Sequence, residues 1–447
     1  MRVLAITAGA ANMYCGSCLR DNALAAELRR QGHDVTLVPI YTPTRTDEPN
    51  VSEERVLYGG VNVYLQQVFP LFRRTPEFVD KVFDSKWVMR LLSRLSVSTD
   101  PADLGDLTVS TLKGENGFQR KEVDKLTSWL SAQPRPDVVV LPNSLMIGLA
   151  RPLARALHVP IACTLQGEDL FLDGLSEAHR SEAIELIRDQ VQFVDGFMAV
   201  SDYYAEFMAK LFSIPTEKMA MVPLGINFDG YEPNTQPDTP LKIGYFARIA
   251  PEKGLHNLVE AYRMLRERND VPPTRLEVAG YLGREHRGYL KKLTAEIARY
   301  GLRDEFHYHG VLDRREKIDF LQSLALVSVP TDYEEPKGIF LLEAMAAGVP
   351  VVQPRRGAFP ELLDRTGGGK LVEAGNSKDL AEALAFLVRN ADERRELGRR
   401  AAEGVRRHHA VEIMARRSIA AFEKLVDREP VGVVGEQEGI ATGVASV

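Results

Sequence analysis

An alternation runs the length of the chain and constrains its fold more than any other feature: short apolar runs, each followed by a turn and then by residues at helical spacing. Val3 to Thr7 reads as a strand. A loop containing Gly9 and Gly16 follows, then a helix from about Arg20 to Gln31, and Gly32-His33-Asp34-Val35-Thr36-Leu37-Val38 returns as a second strand. That is the βαβ opening of a parallel, doubly wound sheet. Strands recur at Asp137 to Leu141, Ile161 to Leu165 and Gly196 to Ser201, and Met219 to Pro223 closes a first domain placed at 1–225. Leu224 to Asn227 and the proline-rich polar run Glu232 to Pro240 form a linker, 226–240. A second parallel domain starts at Leu241 and extends to about 405. The fold class is α/β, with two Rossmann-like, doubly wound parallel-sheet domains.

Within 64–130, read as a helical insertion, Val79, Phe83, Trp87, Leu91 and Leu95 recur every four positions. This predicts a long amphipathic helix over Pro76 to Leu95, suited to packing on its own domain or to an acceptor or membrane interface. The last residues, 429–447, lack periodicity and read as a loose tail.

Composition excludes several classes. A net charge of −6 and a pI near 5.9 lack the basic excess of a nucleic-acid binder. Nothing approaches the ~20 consecutive apolar residues that span a bilayer. The protein is expected to be soluble and cytoplasmic, or at most peripheral at the inner face of a membrane. Three cysteines, Cys15, Cys18 and Cys163, are too few for a disulfide framework. Cys15-Gly16-Ser17-Cys18 has redox or zinc spacing but no second Cys or His pair, and reads as a loop with two small thiols. No Gly-x-Gly-x-x-Gly follows the first strand, so the dinucleotide fingerprint fails. Gly369-Lys370 lacks the rest of a phosphate-binding loop.

Chemistry concentrates in two places. In Glu335-Pro336-Lys337-Gly338-Ile339-Phe340-Leu341-Leu342-Glu343 two carboxylates bracket a glycine turn that feeds a helix. Backbone N–H groups and a helix dipole there favour an anion, and the carboxylates favour hydroxyls. Upstream, the strand Lys242 to Ala247 leads to Arg248-Ile249-Ala250-Pro251-Glu252-Lys253-Gly254 and an amphipathic helix. An Arg fork and a Lys point charge suit a departing diphosphate.

Both clusters, in this order, with Ala344-Met345-Ala346-Ala347-Gly348-Val349-Pro350-Val351-Val352 behind them, resemble the C-terminal domain of family-4 glycosyltransferases, the retaining GT-B enzymes. Gly310, Gly357 to Glu361 and Gly367 to Val372 extend the resemblance. It implies transfer of a sugar from a nucleotide-sugar donor to a sugar, lipid or small-molecule acceptor. It further implies that Glu343 binds the ribose and Glu335 the transferred sugar. Arg248 and Lys253 would hold the diphosphate, with N–H groups near Gly338, Ile339 and Phe340 on the sugar and β-phosphate. Gly16 stands where the family's second glycine approaches the donor. A crossover helix at 406–428 would pack back across the domains. The chain has no Asp-x-Asp, so no metal and no cofactor beyond the donor is expected.

One departure stands out. In Thr164-Leu165-Gln166-Gly167-Glu168-Asp169, Gln166 occupies the place of a family His, and Leu141-Pro142-Asn143-Ser144 likewise carries Asn143 where His is frequent. Gln166 can hydrogen-bond a sugar but cannot titrate. Asn143, Glu168 and Asp169 are acceptor-side candidates. The alternatives are a GT-B isomerase or phosphorylase, and a non-catalytic nucleotide-sugar-binding protein. The first two would need first-domain acids and histidines at the sugar ring or a pyridoxal-phosphate lysine. The third is motivated by Gln166 and Asn143.

Overall fold

A computed structural model of the chain describes residues 1–9, 15–68, 72, 101–233 and 239–427. The amphipathic stretch at 76–95 and the tail at 429–447 lie outside the described residues.

Seven parallel strands form the first sheet: β1 (Arg2–Thr7), β2 (Asp34–Tyr41), β3 (Leu57–Gly59), β4 (Val138–Leu141), β5 (Ile161–Leu165), β6 (Gly196–Ala199) and β7 (Met219–Met221), in spatial order β3-β2-β1-β4-β5-β6-β7. The second sheet has six: β8 (Leu241–Phe246), β9 (Thr274–Ala279), β10 (Phe306–Tyr308), β11 (Leu326–Val327), β12 (Val351–Pro354) and β13 (Gly369–Val372), ordered β10-β9-β8-β11-β12-β13. Strand order reverses between β1 and β4 in one sheet and between β8 and β11 in the other. Ligands of open α/β sheets sit beyond the carboxyl ends of strands at such switch points.

The strands are apolar because both faces are covered. In β1, Val3 packs on one side with Leu37 and Val138, while Leu4 and Ile6 pack on the other with Ile40 and Leu141. The helix covering the Val3 face comes from the far end of the chain. Val411–Val426 lays Met414, Ala415, Phe422 and Leu425 against Val3, Leu24 and Leu28. It is separated from the preceding Ala391–His408 helix by a break at His409 and Ala410, where Ala410 bridges to Ile226. Truncating a buried Phe or Leu costs ~2–5 kcal/mol, so this helix binds the end of the chain to the first domain.

The first helix spans Gly16–Arg30, four residues earlier than the helical spacing predicts. Gly16 and Ser17 read as loop residues, yet Cys15 is extended at the cap and the helix begins directly after it.

Candidate functional site

Loops from the carboxyl ends of both sheets meet each other. The Ser201 hydroxyl donates to the Pro336 carbonyl (2.8 Å), and Lys337 Nζ donates to Ser17 Oγ (3.0 Å). Glu361 accepts from the backbone N–H groups of Asp202 and Tyr203 (3.1 and 2.9 Å), capping the Asp202–Phe212 helix from the opposite domain.

The second domain contributes a buried polar centre. Lys253 closes the Pro251–Lys253 turn after β8, and Gly254 follows with φ +73°. A Cβ on Gly254 would lie 1.8 Å from the Pro330 carbonyl oxygen, so only glycine lets this turn sit against the loop after β11. That loop carries Tyr333 and Glu335. Lys253 Nζ lies 2.6 Å from Glu335 Oε2 and 2.6 Å from the Tyr333 hydroxyl, and Tyr333 also donates to Glu335. The other Glu335 oxygen accepts from the Gly338 N–H (3.2 Å) at the start of the Ile339–Ala346 helix, where Gly338 takes φ +63°. Burial pushes the Glu335 carboxyl up, but the Lys253 charge and the hydrogen bonds from Lys253, Tyr333 and Gly338 outweigh it and hold it below the usual range. Lys253 also sits over the rings of Tyr333 and Phe340, 4.8 and 5.2 Å from their centroids. Arg248 lies at the rim, half-exposed and paired with Glu252. Its charge reaches the Tyr333 hydroxyl.

Glu343 occupies a separate crevice. Lys317 Nζ lies 2.5 Å from Glu343 Oε1 and pairs equally with Asp47 of the first domain. Arg314 pairs with Glu48 at 2.9 Å. Burial opposes the charge of Lys317, but Glu343, Tyr231 and Asp47 outweigh it and keep it protonated. Ile339, Arg20, Asn227 and Tyr231 also line it. Thus Lys253, Glu335, Gly338 and Phe340 gather in one cluster, whereas Ile339 and Glu343 belong to the adjoining one.

On the first-domain side, Gly16 opens its helix beside Lys337, and Asn143 caps the turn after β4 by accepting from the Leu145 N–H. Gln166 donates to the Pro142 carbonyl (2.8 Å) while its own side-chain oxygen is buried without a partner. Glu168 is saturated: it accepts from the Ser144 N–H and hydroxyl, the Gln166 N–H and the Tyr204 hydroxyl. Its role here is to tie the loops after β4 and β5 together. Asp169 accepts from Tyr204 at 2.7 Å, and its charge, like that of Arg248, reaches the Tyr333 hydroxyl.

Burial raises the Asp169 carboxyl to about 6, against the hydrogen bond from Tyr204 and with added repulsion from Glu168. An acid whose pKa is raised on folding stabilises the native state below its unfolded pKa and loses that contribution as pH rises through about 6. Asp169→Asn, which keeps an acceptor for Tyr204, is therefore expected to be more stable than the parent by ~1–3 kcal/mol at pH 7–8 and equal to it near pH 3–4. Urea titrations across that range check it, and a pH-independent difference would refute it.

Tyr333, Lys317, Asp47 and Lys337 were not identified as site residues from sequence. Only Lys317 carries a signal: it stands in the buried stripe of the Arg314–Gln322 helix with Ile318, Phe320 and Leu321.

Two family models match the chain in tandem: "Glycosyl transferase 4-like domain" over residues 22–225 and "Glycosyl transferases group 1" over residues 231–404. The putative colanic acid biosynthesis glycosyltransferase WcaL of Escherichia coli K12 is 30% identical over 239 residues, 52% of this chain and 57% of that protein. The MMP α-(1→4)-mannosyltransferase of Mycolicibacterium hassiacum is 30% identical over 252 residues, 55% of this chain and 58% of that one. The chain thus spans a little over half the length of these curated relatives. Among solved structures, Anabaena HepE in complex with UDP and glucose superposes with a TM-score of 0.65 over 95% of this chain and 100% of its own, at 16% identity, a likeness of fold.

Proposed function

This chain belongs to the group 1 glycosyltransferases of the GT-B fold, and we propose that it moves a sugar from a nucleotide sugar to an acceptor hydroxyl, with retention and without a metal. The observation that carries this reading is the buried Lys253–Glu335 pair set against the Gly338 N–H, with Arg248 at its rim. Transfer separates a diphosphate from an oxocarbenium-like carbon, and preorganised charges stabilise both. Lys253 and Arg248 face the phosphates. Glu335, held ionised by its partners, accepts from the sugar hydroxyls and stabilises positive charge at the ring. Glu343 takes the ribose hydroxyls, with Lys317 beside them. The leaving phosphate accepts the acceptor proton in a front-face displacement, so no protein nucleophile is needed. The UDP in the HepE structure supports a nucleoside diphosphate in this cleft. The acceptor, a sugar, lipid or small molecule, enters from the side of Gly16, Gln166 and Asp169. Among the described residues no helix is long and apolar enough to cross a membrane, and the membrane contact proposed for this protein is peripheral.

Donor hydrolysis and transfer across a panel of nucleotide sugars, with the anomeric configuration of the product determined, test the reading. Inverted product or no turnover with any donor would refute it. Chelation is expected to change the rate by less than ~2-fold, because fixed cations stand where a divalent ion would act. Complete loss with EDTA, restored by magnesium or manganese, would place a metal in the donor site.

A further inference from the structure

Cys15 and Cys18 take no part in the chemistry proposed above, yet the fold brings them together. Cys15 is the cap of the Gly16–Arg30 helix and Cys18 its third residue. The side chain at a cap folds back over the third helical position, the geometry by which a capping Ser or Thr reaches that residue. Here it places two thiols at the start and the end of the helix's first turn, both as free cysteines. Their exposures differ: Cys15 is partly exposed, whereas Cys18 is fully buried. The opposite domain supplies a cation. Lys337, the residue before Gly338, donates to Ser17 between the two cysteines, and its charge acts on Cys15.

We propose that Cys15 and Cys18 form a reactive dithiol, a site of thiol–disulfide exchange with low-molecular-weight disulfides, set where the first helix meets the donor-binding loop. The hydrogen bond from Cys18 holds Cys15 well below the ordinary thiol range. Burial opposes it, while Lys337 and the N–H groups of Cys18 and Ser17 assist. The hydrogen bond to Cys15, together with burial and the Cys15 charge, pushes Cys18 the other way. Cys15 is accordingly the attacking thiolate and Cys18 the resolving thiol.

The chemistry balances without any further reagent. The Cys15 thiolate attacks one sulfur of the small disulfide, forming a mixed disulfide and releasing one small thiolate. Cys18 then attacks Cys15 Sγ and gives up its proton, and the second small thiolate leaves. The protein loses two protons and two electrons, and the small disulfide takes them up to become two thiols. The new bond removes the charge that Lys337 faces. Because Lys337 is bonded to Ser17 across the domains, oxidation alters the contact that holds the Gly338 loop against the first helix.

The test needs no donor, so it stands or falls separately from the transferase reading. The full-length protein is equilibrated with mixtures of reduced and oxidised glutathione, quenched with an alkylating agent under denaturing conditions, and mapped by mass spectrometry. The oxidised form is expected to lose both labels at Cys15 and Cys18 together with two hydrogens, and to keep the label at buried Cys163. Cys18→Ser is expected to trap one glutathione on Cys15, and Cys15→Ser to react at least ~10-fold more slowly at Cys18, the buried thiol of raised pKa. Dithiothreitol should restore both labels. Thiols that remain separately alkylatable at every ratio, or equal capture of glutathione by the two variants, would overturn the proposal. Comparison with the unfolded protein guards against misfolded variants, since the preference for Cys15 should vanish there.

Discussion

Arg248→Ala and Lys253→Ala are each expected to lower transfer by ~10²-fold or more, since each removes a cation from a developing diphosphate. The structure separates them in stability. Arg248 is half-exposed and pairs with its neighbour Glu252, an arrangement worth ~1 kcal/mol at most, so Arg248→Ala should melt almost as the parent does. Lys253 is different. Its removal leaves Glu335, 2% exposed, with two hydrogen bonds but no countercharge. Breaking one partner of a buried pair costs ~3–5 kcal/mol. Replacing both partners is milder, and Lys253→Met with Glu335→Gln should recover most of that stability while remaining inactive. Rates and urea midpoints for the three proteins are the measurements. A parental rate in purified Arg248→Ala would end the assignment of the diphosphate to this turn, and an inactive but fully stable Lys253→Ala would show that Glu335 does not depend on its partner.

How much of this was legible beforehand follows from which contacts are local. The strand-turn-helix units were readable because each carries its own signal. The run Val3 to Thr7 is apolar because both faces of β1 are covered, and Gly254 and Gly338 mark turns whose backbone needs positive φ. Arg248, Lys253, Glu335 and Glu343 stood out for the same reason. Contacts between the domains have no such local signal. Nothing in Asp47 announces Lys317, 270 residues away, and nothing in Pro336 announces Ser201. Tyr333 carries no signal of its own in the sequence, since only the fold brings Lys253 and Glu335 around its hydroxyl. Glu168 shows the converse. A loop acid is usually solvated, but four donors surround this one, and three of them, the Ser144 N–H and hydroxyl and the Tyr204 hydroxyl, come from 24 to 36 residues away, too far to form a local pattern. The gap between the expected and observed start of the first helix has a local cause, because no side-chain cap marks Cys15.

The two glutamates of the donor loop are expected to fail in different ways. Glu343 shares its crevice with Lys317 and Asp47, and burial raises its carboxyl against the pull of Lys317. Hydroxyl groups of a ribose would donate to it there, so Glu343→Ala should weaken binding of free nucleoside diphosphate by ~1–3 kcal/mol, the cost of a lost hydrogen bond to a charged group. The same substitution leaves Lys317 paired with Asp47, and the domain contact survives. Glu335 acts on the other side of the phosphates. Removing its carboxylate in Glu335→Ala frees Lys253, whose charge then meets the diphosphate without a competitor. Free nucleotide should therefore bind Glu335→Ala as tightly as the parent or more tightly. Turnover of the intact donor should instead fall by ~10²-fold, because the missing contact strengthens as charge develops at the anomeric carbon. Calorimetry with UDP against the parent and both variants, paired with transfer rates, distinguishes the two. Equal loss of nucleotide affinity in Glu335→Ala and Glu343→Ala would sink this division of labour and place both carboxylates on the nucleotide.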